Sequence, residues 1–204
     1  MQPTTYPTGS VRALIATDLI TPATRHVLQS RLKPRDDAEP RFFNDHTFRI
    51  LRAVCARLIP QPDRSDPVDL AAALDERLAE GKCDGWRYAA MPADEVAYVR
   101  GLHGLDEQAH TRFGVHFAAL DGTRQDEVLL MVQRGEVAGA AWEELPAHRF
   151  FEELLAELTE CYYSDPQTQE EIGYVGMADA QGWQAIGLDQ LAPHEPRAVG
   201  DRHA

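Results

Sequence analysis

The chain lacks the cysteine patterns that small secreted proteins and redox proteins depend on. It has 3 cysteines in 204 residues, and Cys55, Cys83 and Cys161 show neither paired spacing nor a CxxC motif. Such cysteines provide no disulfide framework and no cysteine-based metal or redox site. A chain of this length buries roughly 70% of its unfolded surface, so a single domain can form its core without cross-links.

Basic residues are scarce, and long apolar runs are absent. Lysine and arginine number 20 against 33 acidic residues, which gives a formal net charge of −13 at pH 7. Nucleic acids and anionic membranes are bound by clustered basic side chains, so this balance argues against both as partners. No run approaches the roughly 18 apolar residues of a membrane-spanning helix. The first residues also lack a signal-peptide core and a twin arginine, and we expect a cytoplasmic location.

Cofactor and nucleophile motifs are missing as well. The glycines occur as GLHG (101–104), GEVAG (135–139) and GYVGMADAQG (173–182). None of these has the GxGxxG spacing that follows a strand in dinucleotide-binding folds. The P-loop pattern and GxSxG are absent too. We therefore expect no catalytic residue and no cofactor-binding residue in this chain.

What the sequence does contain is helical periodicity. The clearest apolar stripe recurs at three- and four-residue steps and consists of Phe150, Phe151, Leu154, Leu155, Leu158 and Tyr162. Helix starts are predicted at Asp45, Asp66–Pro67, Met91–Pro92, Thr123 with Asp126, and Pro146. Since no segment alternates like a strand, the fold class is all-α. We predict an irregular bundle of about five or six helices with an extended, non-helical N-terminal arm and C-terminal tail.

Three parts of the chain differ in composition. Residues 1–40 are predicted to be an arm and linker, with a short helix opening at Thr21–Pro22, and residues 41–165 form the helical domain. Residues 166–204 form an aromatic, glycine-rich tail without a long helical period. Its backbone groups must find partners in the core, in solvent or in another chain. We expect the tail to pack on a partner protein.

A group of histidines is the one candidate for metal chemistry. On a continuous helix His103, Glu107 and His110 share one side, so this trio is the candidate metal site. The alternative is a polar face on which histidine and glutamate bond each other. The neighbouring Asp106 is a candidate buried polar anchor.

Aromatic residues near the C-terminus are candidate partner contacts. The predicted interface residues are Tyr162, Tyr163, Tyr174, Trp183 and Ile186. Tryptophan and tyrosine are enriched at interface hot spots. For Trp183, packing within its own chain is the alternative.

The order of several sequence blocks resembles the gluconate 2-dehydrogenase subunit 3 family. The blocks are RLIPQPD (57–63), GLHGLDEQAHTRFGVHFAAL (101–120), QDEVLLMVQRGE (125–136), FFEELLAELTECYYSDP (150–166) and GWQAIG (182–187). The resemblance implies a helical, non-catalytic small subunit. Such a subunit binds and chaperones the large GMC-type flavoprotein of a bacterial sugar or polyol dehydrogenase.

The same resemblance places the cofactors outside this chain. FAD, and in some systems an iron–sulfur cluster, belongs to the large subunit, and a cytochrome is a third partner in some complexes. Many relatives carry a twin-arginine signal, so a periplasmic location by co-export with the partner is the alternative to the cytoplasm. Two other functions stay open, namely a free-standing helical metal-binding protein using His103, Glu107 and His110, and a regulatory scaffold bundle.

Overall fold

A computed structural model of the chain describes residues 6–33, 39–62, 64–82, 88–177 and 185–199. These residues form α-helices and two 3-10 turns, at Phe117–Ala119 and Ala140–Trp142, with no β-strand among them. In chain order the α-helices are α1 (Ser10–Leu14), α2 (Pro22–Arg31), α3 (Asp45–Leu58), α4 (Leu70–Ala79), α5 (Asp94–Phe113), α6 (Gly122–Arg134), α7 (Ala147–Ser164) and α8 (Pro166–Glu171). The predicted all-α fold class is confirmed. Within the described ranges no helix has both the length and the apolar character needed to cross a bilayer.

The chain divides into two compact units. The first, which we call the terminal unit, combines Met1–Pro34 with Tyr162–Ala204, and the second, the central unit, is Arg35–Cys161. The predicted tail (166–204) and residues 1–34 of the predicted arm (1–40) therefore belong to one unit. The expectation that the tail packs on a partner stays a prediction.

Side-chain caps fix three helix starts in the central unit. Asn44 caps α3, Asp69 caps α4 and Asp121 caps α6, each by accepting the backbone N–H three residues further on. Such caps satisfy N–H groups that have no partner inside the helix. The sequence predicts these starts at Asp45, at Asp66–Pro67 and at Thr123 with Asp126. Several neighbouring residues had capping side chains in each case, and only the backbone geometry selects one of them.

The core of the central unit lies where α3, α5 and α6 meet. Helix α3 contacts α4, α5, α6 and the 3-10 turn at Phe117–Ala119. The large, fully buried apolar side chains of this unit include Ile50, Leu51, Leu74, Leu102, Leu105, Phe117, Leu145, Phe150, Leu154 and Leu158. Full burial of each such side chain contributes roughly 1.5–3 kcal/mol to folding. In α5 the buried apolar side chains include Tyr98, Leu102, Leu105 and Ala109, whereas Val96 is exposed.

Two glycines of α5 allow aromatic rings to approach its backbone. A Cβ atom on Gly101 would lie 2.2 Å from the ring of Phe150, and one on Gly104 would lie 2.5 Å from the ring of Trp142. The two glycines are three residues apart and share one face of the helix. The two rings also contact each other, with centroids 6.0 Å apart. These glycines thus let α7 and the turn at Ala140–Trp142 pack directly on α5.

A buried carboxylate in α4 holds the segment that leads into α3. Asp75 accepts hydrogen bonds from the backbone N–H groups of Arg41, Phe42 and Phe43 at 2.6, 3.1 and 2.9 Å. These three donors compensate for removing the charge from water. The start of α3 is therefore fixed both by its own cap and by α4.

The terminal unit joins the two ends of the chain. Its apolar cluster consists of Val11, Leu14, Ile20, Leu28 and Val175. The buried carboxylate of Glu170 in α8 accepts from the backbone N–H of Gly9 at 2.7 Å and that of Arg12 at 2.9 Å. The Arg12 guanidinium donates to the same carboxylate at 2.8 Å. The start of α1 is thus tied to α8.

Helices α1 and α8 were not predicted, whereas α2 matches the short helix expected at Thr21–Pro22. Helix α1 has 5 residues and α8 has 6. Helices this short are unstable alone and show too few turns for a periodic signal. In the terminal unit Glu170 joins α8 to α1, and α1 also contributes Val11 and Leu14 to the apolar cluster.

The contact of Gly101 with Phe150 is testable by Gly101→Ala. Alanine normally stabilises a helix by about 1 kcal/mol relative to glycine. Here the added methyl group collides with the Phe150 ring, and we expect a loss of about 1–3 kcal/mol in the free energy of unfolding. The control is Gly122→Ala, whose Cβ would meet only the flexible guanidinium of Arg57. Equal unfolding midpoints in urea for both variants would contradict the close packing.

The role of Glu170 is testable by Glu170→Gln, with the exposed neighbour Glu171→Gln as control. Burial raises the pKa of Glu170, but hydrogen bonds from Arg12 and Gly9 outweigh this effect and bring the pKa below its ordinary value. Ionised Glu170 therefore contributes fully to the free energy of unfolding above its pKa in the unfolded chain, which is about 4.3. This contribution is lost as the pH falls through the lower pKa that Glu170 has in the folded protein. We expect Glu170→Gln to cost about 1–3 kcal/mol at pH 7.

This cost should shrink below about pH 4, because protonation then removes the same charge from the native protein. Denaturant unfolding across pH measures the difference between variant and native chain. Hydrogen exchange at the Gly9 and Arg12 amides, which donate to Glu170, reports the local effect. A pH-independent difference, or an equal loss in Glu171→Gln, would argue against this anchor.

Candidate functional site

Three side chains from separate segments of the central unit converge on one point. His46 lies in the first turn of α3, Asp106 in the middle of α5, and His116 between α5 and the following 3-10 turn. His46 Nε2 lies 2.9 Å from Asp106 Oδ2, and His116 Nδ1 lies 2.8 Å from the same oxygen. The other oxygen, Oδ1, accepts the backbone N–H of Phe117 at 2.8 Å. We call these three side chains the His–Asp–His cluster.

The carboxylate of the cluster is buried, whereas its two histidines are open to solvent. The Asp106 side chain is 12% exposed, whereas His46 and His116 are 43% and 62% exposed. Burial alone raises the pKa of Asp106, but hydrogen bonds from the Phe117 N–H, His116 and His46 outweigh it and lower the pKa below its ordinary value. At neutral pH the cluster therefore presents a charged carboxylate beneath two accessible imidazoles.

Local sequence features bring these residues together. The Asn44 cap sets the first turn of α3 and with it the position of His46. Helix α5 ends at Gly114, whose φ of 73° is in the left-handed region that favours glycine. This reversal returns His116 and Phe117 to the side of α5 that carries Asp106. Gln125 of α6 then donates from Nε2 to the Phe117 carbonyl at 3.1 Å, which holds the returning segment.

The predicted trio of His103, Glu107 and His110 makes different contacts. His103 Nε2 lies 3.1 Å from Thr47 Oγ1, and the His110 ring lies 5.8 Å from that of His116. The Glu107 carboxylate lies against the backbone of Gly139. Over the described residues, the group of three histidine, cysteine or acidic side chains whose ligand atoms all lie within 4.8 Å of one another is His46, Asp106 and His116.

Part of this cluster is predictable from the sequence. Asp106 was predicted as a buried polar anchor, and it has that role. His116 is not part of the predicted trio, and His46 was not predicted as a site residue. His46 lies 60 residues before Asp106, and no local spacing connects residues that far apart in the sequence.

The candidate partner contacts of the terminal unit are largely exposed. Tyr163, Tyr174 and Ile186 are exposed, Ile186 to 88%. Tyr162 is half-buried, with its ring 5.2 Å from that of Tyr163. Trp183 lies outside the described residues. Six further exposed apolar residues among those described in this unit were not predicted as contacts, namely Leu19, Val27, Ile172, Leu188, Leu191 and Val199.

A separate cavity of about 490 Å³ lies between the end of α3 and the start of α4. Its lining is mainly apolar and includes Cys55, Ile59, Pro60 and Val68. Burial raises the pKa of the Cys55 thiol well above its ordinary range. The thiol is therefore protonated at neutral pH and is a weak nucleophile.

The fold and the site together define a class of all-helical protein with a polar cluster in one unit and exposed apolar residues in the other. Residues 45–189 match the family described as gluconate 2-dehydrogenase subunit 3. Because the match covers most of the chain, the protein belongs to this family, whose members are subunits of a dehydrogenase. No curated protein and no solved structure matches the chain.

The structural role of Asp106 is testable by Asp106→Asn. Asparagine keeps the acceptor for the Phe117 N–H but loses the charge shared by the two histidines. We expect a loss of about 1–3 kcal/mol in the free energy of unfolding, measured in urea at pH 7. The control is Glu107→Gln, the exposed next residue on the same helix, which should change stability by less than about 0.5 kcal/mol. Equal stability of both variants would show that Asp106 is not an anchor.

Proposed function

We propose that the chain is the non-catalytic small subunit of a bacterial FAD-dependent sugar or polyol dehydrogenase. In this proposal it binds the GMC-type catalytic subunit and stabilises its folded form. The observation that carries the proposal is the family match over residues 45–189. The absence of GxGxxG, P-loop and GxSxG motifs from the sequence supports it, because flavin and substrate then belong to the larger partner.

The exposed apolar residues of the terminal unit are the proposed contact with the partner. Tyr163, Ile172, Tyr174, Ile186 and Leu188 all expose large apolar side chains, and all lie within the matched residues. Exposed apolar residues scattered singly are ordinary on a protein surface, whereas a contiguous apolar patch marks an interaction site. We propose that these five side chains, all within one unit, contribute to such a patch. Aromatic anchors of this kind carry much of the energy at interfaces.

The anchoring of the terminal unit supports the same assignment. Glu170 holds α8 against the start of α1, so Ile172 and Tyr174 follow directly on a fixed element. A contact surface that is ordered before binding loses less conformational entropy on association. We infer that the terminal unit presents these side chains in a form ready to dock.

The flavin cofactor is assigned to the partner in this proposal. The large subunit holds FAD, with an iron–sulfur cluster in some complexes of this kind, and a cytochrome acts as electron acceptor in others. The complex takes the cellular compartment of its large subunit, so either the cytoplasm or the periplasm after co-export is compatible with the proposal. Fractionation of cells that express both genes distinguishes the two.

A regulatory scaffold unrelated to redox chemistry is the competing function. Co-expression with the gene of a GMC-type large subunit separates the two. The proposal predicts a yellow, soluble complex that oxidises members of a panel of sugars and polyols, and a large subunit that is insoluble or unstable without this chain. A large subunit that is equally soluble and active alone would contradict the stabilising role.

The contact surface is tested by Tyr174→Ala in the co-expressed complex. Removing an aromatic hot spot weakens binding by about 2 kcal/mol, which corresponds to about 30-fold in the dissociation constant. The control is Leu130→Ala, which truncates an exposed apolar side chain of the central unit and should leave affinity unchanged. Dissociation of the co-purified complex on serial dilution, followed by size-exclusion chromatography, measures both. An unchanged affinity for Tyr174→Ala and Trp183→Ala together would exclude the tail as the main contact.

A further inference from the structure

The His–Asp–His cluster has a chemistry that the role of an accessory subunit does not require. Two imidazole nitrogens and one carboxylate oxygen face a common point, with His46 Nε2 and His116 Nδ1 at 2.9 and 2.8 Å from Asp106 Oδ2. All three ligand atoms lie within 4.8 Å of one another. Two histidines and one carboxylate are a common ligand set for zinc and other divalent transition metals.

The carboxylate of the cluster is held in place by a bond that leaves its ligand oxygen available. Oδ1 of Asp106 accepts the Phe117 N–H at 2.8 Å, so Oδ2 is turned toward the two histidines. Hydrogen bonds of this type around a ligand orient it and raise metal affinity. The Phe117 carbonyl is held in turn by Gln125. The base of the cluster is therefore fixed by the surrounding fold.

We propose that His46 Nε2, His116 Nδ1 and Asp106 Oδ2 form a binding site for a divalent transition-metal ion, with zinc as the best match. Around a tetrahedral zinc ion, ligand atoms lie about 3.3 Å apart. Each imidazole nitrogen then has to move away from Oδ2 by about 0.5 Å, starting from 2.9 and 2.8 Å. Because both histidines are partly exposed, such a movement requires no rearrangement of the core.

The open side of the cluster supplies the remaining coordination position. The exposed faces of His46 and His116 border solvent, so a water molecule can complete a tetrahedral shell. The centroid of the His110 ring lies 5.8 Å from that of the His116 ring. Its distance places it beyond the three ligands, and we assign it no coordinating role.

A metal ion at this position would join three segments of the central unit. It would connect the first turn of α3, the middle of α5 and the segment leading to the turn at Phe117–Ala119. Metal binding to preformed ligands is coupled to folding, because the unfolded chain does not hold the ligands together. The predicted role of the ion is thus to stabilise the unit.

The test uses the full chain without a purification tag, stripped of metal with a chelator and then dialysed. Titration with Zn²⁺ in competition with a chromophoric chelator measures stoichiometry and affinity, and thermal unfolding with and without Zn²⁺ measures stabilisation. We expect one zinc ion per chain and a higher melting temperature in its presence. His46→Gln and His116→Gln should each weaken binding by at least about 100-fold and abolish the thermal shift.

The matched control is His103→Gln, which removes an exposed histidine of the same region that contacts Thr47 rather than Asp106. This variant should bind zinc as the native chain does. Circular dichroism before titration shows whether each variant keeps its helices, and Co²⁺, whose visible absorption reports coordination geometry, gives a second measure on folded variants.

Two results would overturn the proposal. One is a native chain that takes up less than one zinc ion at micromolar concentration, which would leave the cluster as a hydrogen-bonded anchor only. The other is a loss of affinity in His103→Gln as large as that in His46→Gln, which would move the site to the strip of His103, Glu107 and His110. Neither result bears on the proposed subunit role, which is measured separately by complex formation.

Discussion

The carboxylate of Asp106 is the interaction on which the arrangement of the central unit depends. It receives the Phe117 N–H on one oxygen and two histidines on the other. The Asp106 side chain is only 12% exposed, and removing its charge from water costs free energy. Hydrogen bonds from these three partners compensate for that cost. Phe117 itself is fully buried, so the bond that satisfies the charge also fixes where an aromatic side chain enters the core.

Two other buried carboxylates also accept hydrogen bonds from backbone N–H groups of another segment. Asp75 receives three consecutive backbone N–H groups ahead of α3, and Glu170 receives those of Gly9 and Arg12 ahead of and within α1. In each case a buried carboxylate captures backbone donors of a segment distant in sequence. Apolar stripes drive helices together without fixing their register closely, whereas such bonds are directional. Polar anchors therefore determine how the segments of this all-helical protein are joined.

The His–Asp–His cluster and the proposed partner contacts belong to different units of the chain. The cluster belongs to the central unit, while Ile172, Tyr174 and Ile186 belong to the terminal unit. This separation suits a family member that acts as a subunit, because one unit can be stabilised internally while the other offers surface for association. A zinc ion in the cluster would add to the first role without altering the second.

The sequence by itself determined the helical class, the family and most helix positions in the central unit. These features follow from local periodicity, from prolines and from glycines such as Gly114, whose backbone conformation favours that residue. Only the tertiary structure decided that the two ends of the chain form one unit and that His46 joins Asp106 and His116. Helices of five or six residues give no periodic signal, and contacts across 60 residues depend on how the helices pack, which no local pattern encodes.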